Sequence, residues 1–90
     1  MLKILEDLIL LARTRKKTPI KDSYTNKLLE NNTLIKDKVI EEVNELIEAV
    51  EKDTNKVHEA ADVLYHLIIY LEANNIQIED IMMELEKRKK

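Results

Sequence analysis

The chain contains no glycine and a single proline, Pro19, in 90 residues. This limits the fold sharply, because a tight hairpin needs residues that reach positive φ without strain, and glycine does so most readily. Turns must then rest on asparagine and aspartate, whose short polar side chains bond locally and tolerate the left-handed region. Asn31-Asn32, Asp53-Thr54-Asn55 and Asn74-Asn75 are the places the sequence offers. Elsewhere Leu, Glu, Lys, Ala and Met predominate, all strong helix formers. The expected architecture is all-α, with four to five helices joined by short turns in one domain spanning residues 1–90. Such a small chain buries only a marginal core, so a helical bundle completed by oligomerisation, as a homodimer or higher homo-oligomer, is expected.

Charge and composition exclude several classes of partner. A net charge of −3, from 18 acidic and 15 basic side chains, gives no electrostatic footprint for nucleic acid. No cysteine is present, so disulfides and thiolate metal sites are ruled out, which fits a reducing cytoplasm. The N-terminal apolar residues are interrupted by Lys3, Glu6 and Asp7, and positive charge follows the segment instead of preceding it, unlike a signal peptide. No run approaches the ~18 to 20 apolar residues needed to span a membrane. A soluble, cytoplasmic protein without membrane or nucleic-acid partners is expected.

Apolar spacing places the helices. Leu2, Ile4, Leu5, Leu8, Ile9, Leu11 and Ala12 predict an amphipathic helix to about Arg15, ended before Pro19. Ser23 or Asp22 can cap a short second helix from about Tyr24 to Glu30. A third helix runs from about Thr33 to Lys52, with Val39, Val43, Leu46, Ile47 and Val50 as its apolar stripe. Lys38, Glu42, Glu45 and Ala49 form a second stripe along the edge of that face, while Glu41 and Glu48 point toward solvent. A fourth helix ends near Ala73, with Val57, Ala60, Ala61, Leu64, Leu67, Ile68 and Leu71 on its dominant apolar side. Opposite that side lie Glu59, Asp62 and His66. A last short helix carries Ile76, Ile78, Ile81, Met82 and Leu85 and ends in the basic run Lys87 to Lys90.

Two antiparallel helices that each offer carboxylates three residues apart can bring Glu42, Glu45, Glu59 and Asp62 together. An all-oxygen set of this kind suits Mg²⁺ or Mn²⁺, hard cations that keep water positions open for phosphate oxygens. A di-iron bundle would require Glu-x-x-His on two helices, and neither His58 nor His66 has a glutamate three residues before it. Glutamates at this spacing also decorate ordinary solvated helix faces, and spacing alone leaves both readings open. His66 reads as a hydrogen-bonding residue behind the carboxylates and His58 as exposed. Tyr65 and Tyr70 read as core residues with polar tips.

Several short motifs carry a resemblance. Arg15-Lys16-Lys17-Thr18-Pro19, Asp22-Ser23-Tyr24-Thr25, Leu28-Leu29, Lys38-Val39-Ile40-Glu41-Glu42 with Glu45, and Glu59-Ala60-Ala61-Asp62-Val63-Leu64-Tyr65-His66 occur in this order over nearly the whole chain. In these the sequence resembles the phosphoribosyl-ATP pyrophosphatases, a branch of the all-α, MazG-like nucleoside triphosphate pyrophosphohydrolases. It departs from them at Ile40, Asn31-Asn32 and Asn75, where relatives often carry glycine.

The resemblance implies an enzyme that hydrolyses 1-(5-phosphoribosyl)-ATP to 1-(5-phosphoribosyl)-AMP and pyrophosphate with Mg²⁺, the second step of histidine biosynthesis. It implies Glu42, Glu45, Glu59 and Asp62 as metal ligands, with Glu41 or Glu45 orienting or deprotonating the attacking water. Lys38, Arg15, Lys16, Ser23 and Thr25 become candidates for the nucleotide substrate, and His66 and Tyr65 supports of the site. The alternatives are a house-cleaning triphosphate pyrophosphohydrolase with the same chemistry, or a helical interaction module whose charges only solubilise it.

Overall fold

The computed structural model describes residues 1–89. Five helices follow one another, α1 (Lys3–Lys17), α2 (Tyr24–Glu30), α3 (Asn32–Lys52), α4 (Lys56–Ala73) and α5 (Ile78–Arg88), with no strand among the described residues. The all-α class and the helix order agree with the sequence. Of the basic C-terminal run, Lys90 lies outside the described residues.

The turns show how the chain manages without glycine. α3 ends in a Schellman motif, in which Thr54 N donates to Ala49 O at 2.9 Å and Asp53 N donates to Val50 O at 3.3 Å. α4 ends the same way, through Ile76 N to Leu71 O and Asn75 N to Glu72 O. The left-handed residues are Asp53 and Asn75, with φ of 55° and 59°, joined by Asp22 at 66° and Asn55 at 44°. Asn31 departs from the expected left-handed turn. Its φ is −127°, and its side chain accepts from Leu34 N at 3.0 Å, so one residue closes α2 and caps α3. A capping residue takes extended geometry, and the left-handed form is unnecessary there.

α4 is the central helix and packs against α1, α2 and most extensively α3. Ala12, Leu28, Ile35 and Ile69 form the fully buried centre, walled by Leu29, Leu34, Val39, Tyr65 and Tyr70.

Both long helices turn only part of their apolar stripes inward, Val39 on α3 and Ile68 on α4 among them. On α3, Val43, Ile47 and Val50 are exposed together with Ile40, and the interior is reached by Ile35, Glu42 and Ala49. On α4, Val57 is 85% and Leu64 50% exposed, while His66, Ile68, Ile69 and Glu72 are buried. The aliphatic stripes expected inside the subunit therefore face outward over the first half of α4 and most of α3. The acidic sides of the two helices face each other.

The consequence is a large surface. The chain exposes 6869 Å², whereas a compact monomer of 10.6 kDa exposes about 5,500 Å². The radius of gyration is 14.2 Å, against about 12 Å for a compact domain of this length.

α5 buries no residue of its own. It is pinned by Arg13, whose Nη1 and Nη2 donate to the two Glu79 oxygens at 2.9 and 2.6 Å while Nε donates to Glu72 Oε2 at 3.1 Å. This fork holds the Glu79 carboxyl down at about 2.

Candidate active site

The α3–α4 hairpin brings the four sequence-predicted carboxylates into one cluster. Glu42 is 7% exposed, and its Oε2 is buried without a hydrogen-bond partner; Glu59 Oε2 is in the same condition. An unpaired buried carboxylate oxygen is costly, and the cost shows in the ionisation of both groups. Burial foremost, then the neighbouring Glu45, pushes the Glu42 carboxyl above its ordinary value, with Asp62 adding to the rise and His66 opposing it. Burial and Glu45 likewise raise Glu59, with Asp62 adding and His58 opposing. Glu45 thus stands beside both orphaned groups and is itself open to solvent, more exposed than its stripe position suggested.

Carboxylate oxygens of Glu41, Glu42 and Glu45 come within 4.8 Å of one another, and ligand atoms of His58, Glu59 and Asp62 do the same. His58 is exposed as expected, yet its Nε2 lies 3.4 Å from Asp62 Oδ2.

Behind the carboxylates a polar chain fixes the α4 face. His66 Nδ1 lies 2.8 Å from the Asp62 carbonyl oxygen, which can only accept, so Nδ1 carries the proton. In the neutral ring Nε2 is then an acceptor, and the Tyr24 hydroxyl donates to it across 2.9 Å. Thr25 Oγ1 bonds the Tyr65 hydroxyl. The Ser23-Tyr24-Thr25 triplet is thereby docked onto Tyr65 and His66.

The remaining candidates are placed unequally. Lys38 sits on the rim and donates to Glu41 Oε2 at 2.8 Å. Arg15 Nη1 donates to Ser23 Oγ at 2.7 Å, and the same oxygen caps α2 through Asn26 N at 3.2 Å. With its acceptor capacity used twice, Ser23 keeps one hydroxyl proton to offer outward. Lys16 is not brought to the cluster. Its Nζ donates to the Glu72 carbonyl at 2.6 Å and to Asn75 Oδ1 at 2.9 Å, and Glu72 lies roughly 20 Å along α4 from Glu59.

Sequence reasoning overlooked Tyr24, Asn26 and Arg13. Asn26 is 4% exposed; its amide donates to Arg15 O at 2.9 Å and its Oδ1 accepts from Ile20 N at 3.0 Å, tying down the α1–α2 connector. Tyr24 stood between two polar candidates in the Ser-Tyr-Thr run, and that position was the available signal.

A cluster of sheltered carboxylates beside basic and hydroxyl groups is suited to phosphoanhydride chemistry, and the comparisons with known proteins agree. The family model described as "Phosphoribosyl-ATP pyrophosphohydrolase" matches residues 5–89. The chain belongs to this family. It is a hydrolase family, and the match encloses every carboxylate of the cluster. The phosphoribosyl-ATP pyrophosphatase of Clostridium acetobutylicum is 45% identical over 89 residues, covering 94% of this chain and 80% of that protein. The enzyme of the same name from Bacillus cytotoxicus is 38% identical over 91 residues, covering 98% of this chain and 85% of that one. The histidine biosynthesis bifunctional protein HisIE of Pyrococcus furiosus is 41% identical over 90 residues, or 99% of this chain. The chain spans only 43% of that bifunctional protein's length.

Proposed function

We propose that this protein hydrolyses 1-(5-phosphoribosyl)-ATP to 1-(5-phosphoribosyl)-AMP and pyrophosphate, the second step of histidine biosynthesis. Mg²⁺, or Mn²⁺ in its place, would be held by Glu42, Glu45, Glu59 and Asp62. The observation that carries the metal reading is the pair of buried, unpartnered oxygens on Glu42 and Glu59, since a hard divalent cation satisfies them both. Such a cation, when bound, neutralises charge on phosphate oxygens and acidifies water.

The chain's own groups divide the rest of the work. Glu45 is the one of the four carboxylates open to solvent, which supports it as the group that orients water toward the α–β anhydride and takes its proton. Glu41, half exposed and paired with Lys38, is the auxiliary candidate. Lys38 offers its ammonium to the polyphosphate from the rim, and Ser23 its free proton. Arg15 acts through Ser23, while Tyr65 and His66 hold the α4 face in register.

The working unit is a homodimer. Ile40, Val43, Ile47 and Val50 on α3 present an outward aliphatic face, while Ala61 and Leu64 on α4 lie with Leu2 and with Ile4, Leu5 and Leu8 of α1. The surface in excess of a compact monomer, about 1,400 Å², exceeds the ~800 Å² per partner of a standard interface. A second copy related by a two-fold axis covers such a face with the same residues. No helix among the described residues is long and apolar enough to cross a membrane, in keeping with a cytoplasmic site of action.

Pyrophosphate release from phosphoribosyl-ATP, with and without Mg²⁺ and beside a panel of ordinary nucleoside triphosphates, tests the assignment. Comparable turnover of the ordinary triphosphates would overturn the substrate, and turnover independent of divalent cation would overturn the metal.

A further inference from the structure

A site that takes a nucleoside polyphosphate must hold the base as well as the phosphates, and the carboxylate cluster provides nothing flat or apolar for it. One aromatic residue borders the cluster and remains accessible. Tyr24 is 46% exposed, although both of its attachments are fixed. One ring face lies on Tyr65, with centroids 6.3 Å apart and planes inclined by 13°. The hydroxyl is bonded to His66, whose ring meets both tyrosines edge-on. Through His66 it stands one imidazole's width from the Asp62 carbonyl. Burial raises the phenol above its ordinary value; Lys38 opposes the rise, and Tyr65, Glu42 and Glu41 add to it, so the charges of the cluster are felt at the ring.

We infer that the free face of Tyr24 is the platform on which the purine base of the substrate stacks, with its phosphates directed toward Lys38 and the carboxylates. This rests on the nucleotide-hydrolase reading above. Two features support it. A stacking platform has to be rigid to limit the entropy lost on binding, and Tyr24 is held at its hydroxyl and on its inner face. Aromatic stacking is a recurrent way of gripping a base without reading its edges.

Binding separates the ring from the rest of the site. Affinities of Mg²⁺-ATP and Mg²⁺-tripolyphosphate, which lacks base and sugar, are measured by calorimetry for the wild-type protein, Tyr24→Phe and Tyr24→Leu. The expected result is ATP binding within about twofold of wild type for Tyr24→Phe and weakened about tenfold for Tyr24→Leu. Tripolyphosphate binding should be unchanged in both. With only three tyrosines in the chain, ATP should also move the Tyr24 ring protons upfield in NMR spectra, and tripolyphosphate should not. Equal losses for the two ligands, or no ATP-specific change at the ring, would overturn the platform. Failure of the wild type to release pyrophosphate from phosphoribosyl-ATP would instead overturn the functional reading, whatever the binding data show.

Discussion

Arg13 and Glu72, 59 residues apart in sequence, meet at 3.1 Å across the seam between α1 and α4, with the Glu72 side chain 6% exposed. A buried carboxylate left with only the longer Lys16 contact, 3.9 Å at Oε1, keeps most of its desolvation cost, so removing the guanidinium does more harm than removing both charges. Arg13→Ala should cost about 2 to 4 kcal/mol in urea unfolding. Adding Glu72→Gln in the same background should restore part of it. Glu79 lies on the exposed side of the fork, where solvent screens the ion pair. Glu79→Gln should therefore leave global stability nearly unchanged and accelerate amide exchange in α5 alone.

The carboxylate cluster is a liability to the metal-free fold. Asp62→Asn and Glu45→Gln should each lower turnover by about 100-fold or more, while thermal unfolding in chelator stays at the wild-type temperature or rises, because like-charge repulsion is relieved. Normal turnover in either variant would remove these residues from the site.

The same groups set a pH dependence. The Glu42 and Glu59 carboxyls are raised in the folded protein, so between their ordinary range and the raised values the native state binds more protons than the unfolded chain. Stability must fall as pH rises through that window. Glu79 acts with the opposite sign: its folded value of about 2 gives stability that is complete above the ordinary carboxylate range and is lost as pH falls toward 2. Metal-free protein should thus be most stable in mildly acidic solution. Mg²⁺ should raise the melting temperature more at pH 7 than at pH 5, and equal increments at the two values would contradict the assignment of these carboxylates to the cation.

Helix order, most helix ends and the identity of the acidic residues were legible in the sequence because capping, turn chemistry and spacing are local. Ser23 and the asparagine and aspartate turns illustrate this. The facing of α3 and α4 was not legible. Val43, Ile47, Val57 and Leu64 repeat at helical spacing, and spacing records that a face avoids water without recording whether the same chain or another covers it. Arg13 could not be matched to Glu72 and Glu79 for a related reason, since nothing local links residues 59 and 66 positions apart. Lys16 was a phosphate candidate through the resemblance and its basic run, and only the path of α1 reveals that it closes the end of α4.

Placing a charge on the outward aliphatic face tests the proposed dimer directly. Ile47→Glu should give a monomer in sedimentation equilibrium at concentrations where the wild type is dimeric. Its circular dichroism should stay helical if the subunit core around Ala12, Leu28, Ile35 and Ile69 suffices. A variant that stays dimeric would move the interface elsewhere.

The left-handed turns leave room for improvement. Asn55 has φ of 44° and makes no side-chain cap to α4. Asn55→Gly should raise stability by up to about 1 kcal/mol, the relief of the left-handed conformation outweighing the extra freedom of the unfolded chain. Thermal unfolding without added metal would measure it.

The two-sided character of α3 also bears on which changes of length the chain can absorb. Glu42 and Val43 are sequence neighbours with opposite destinations, one toward α4 and the other outward. Deleting one residue just before them would rotate everything after it by about 100°, carrying the acids away from α4 and the aliphatics toward it. Length variation among relatives should accordingly collect in the connectors around Pro19 and after Ala73, leaving the span from Lys38 to Val50 free of insertions and deletions.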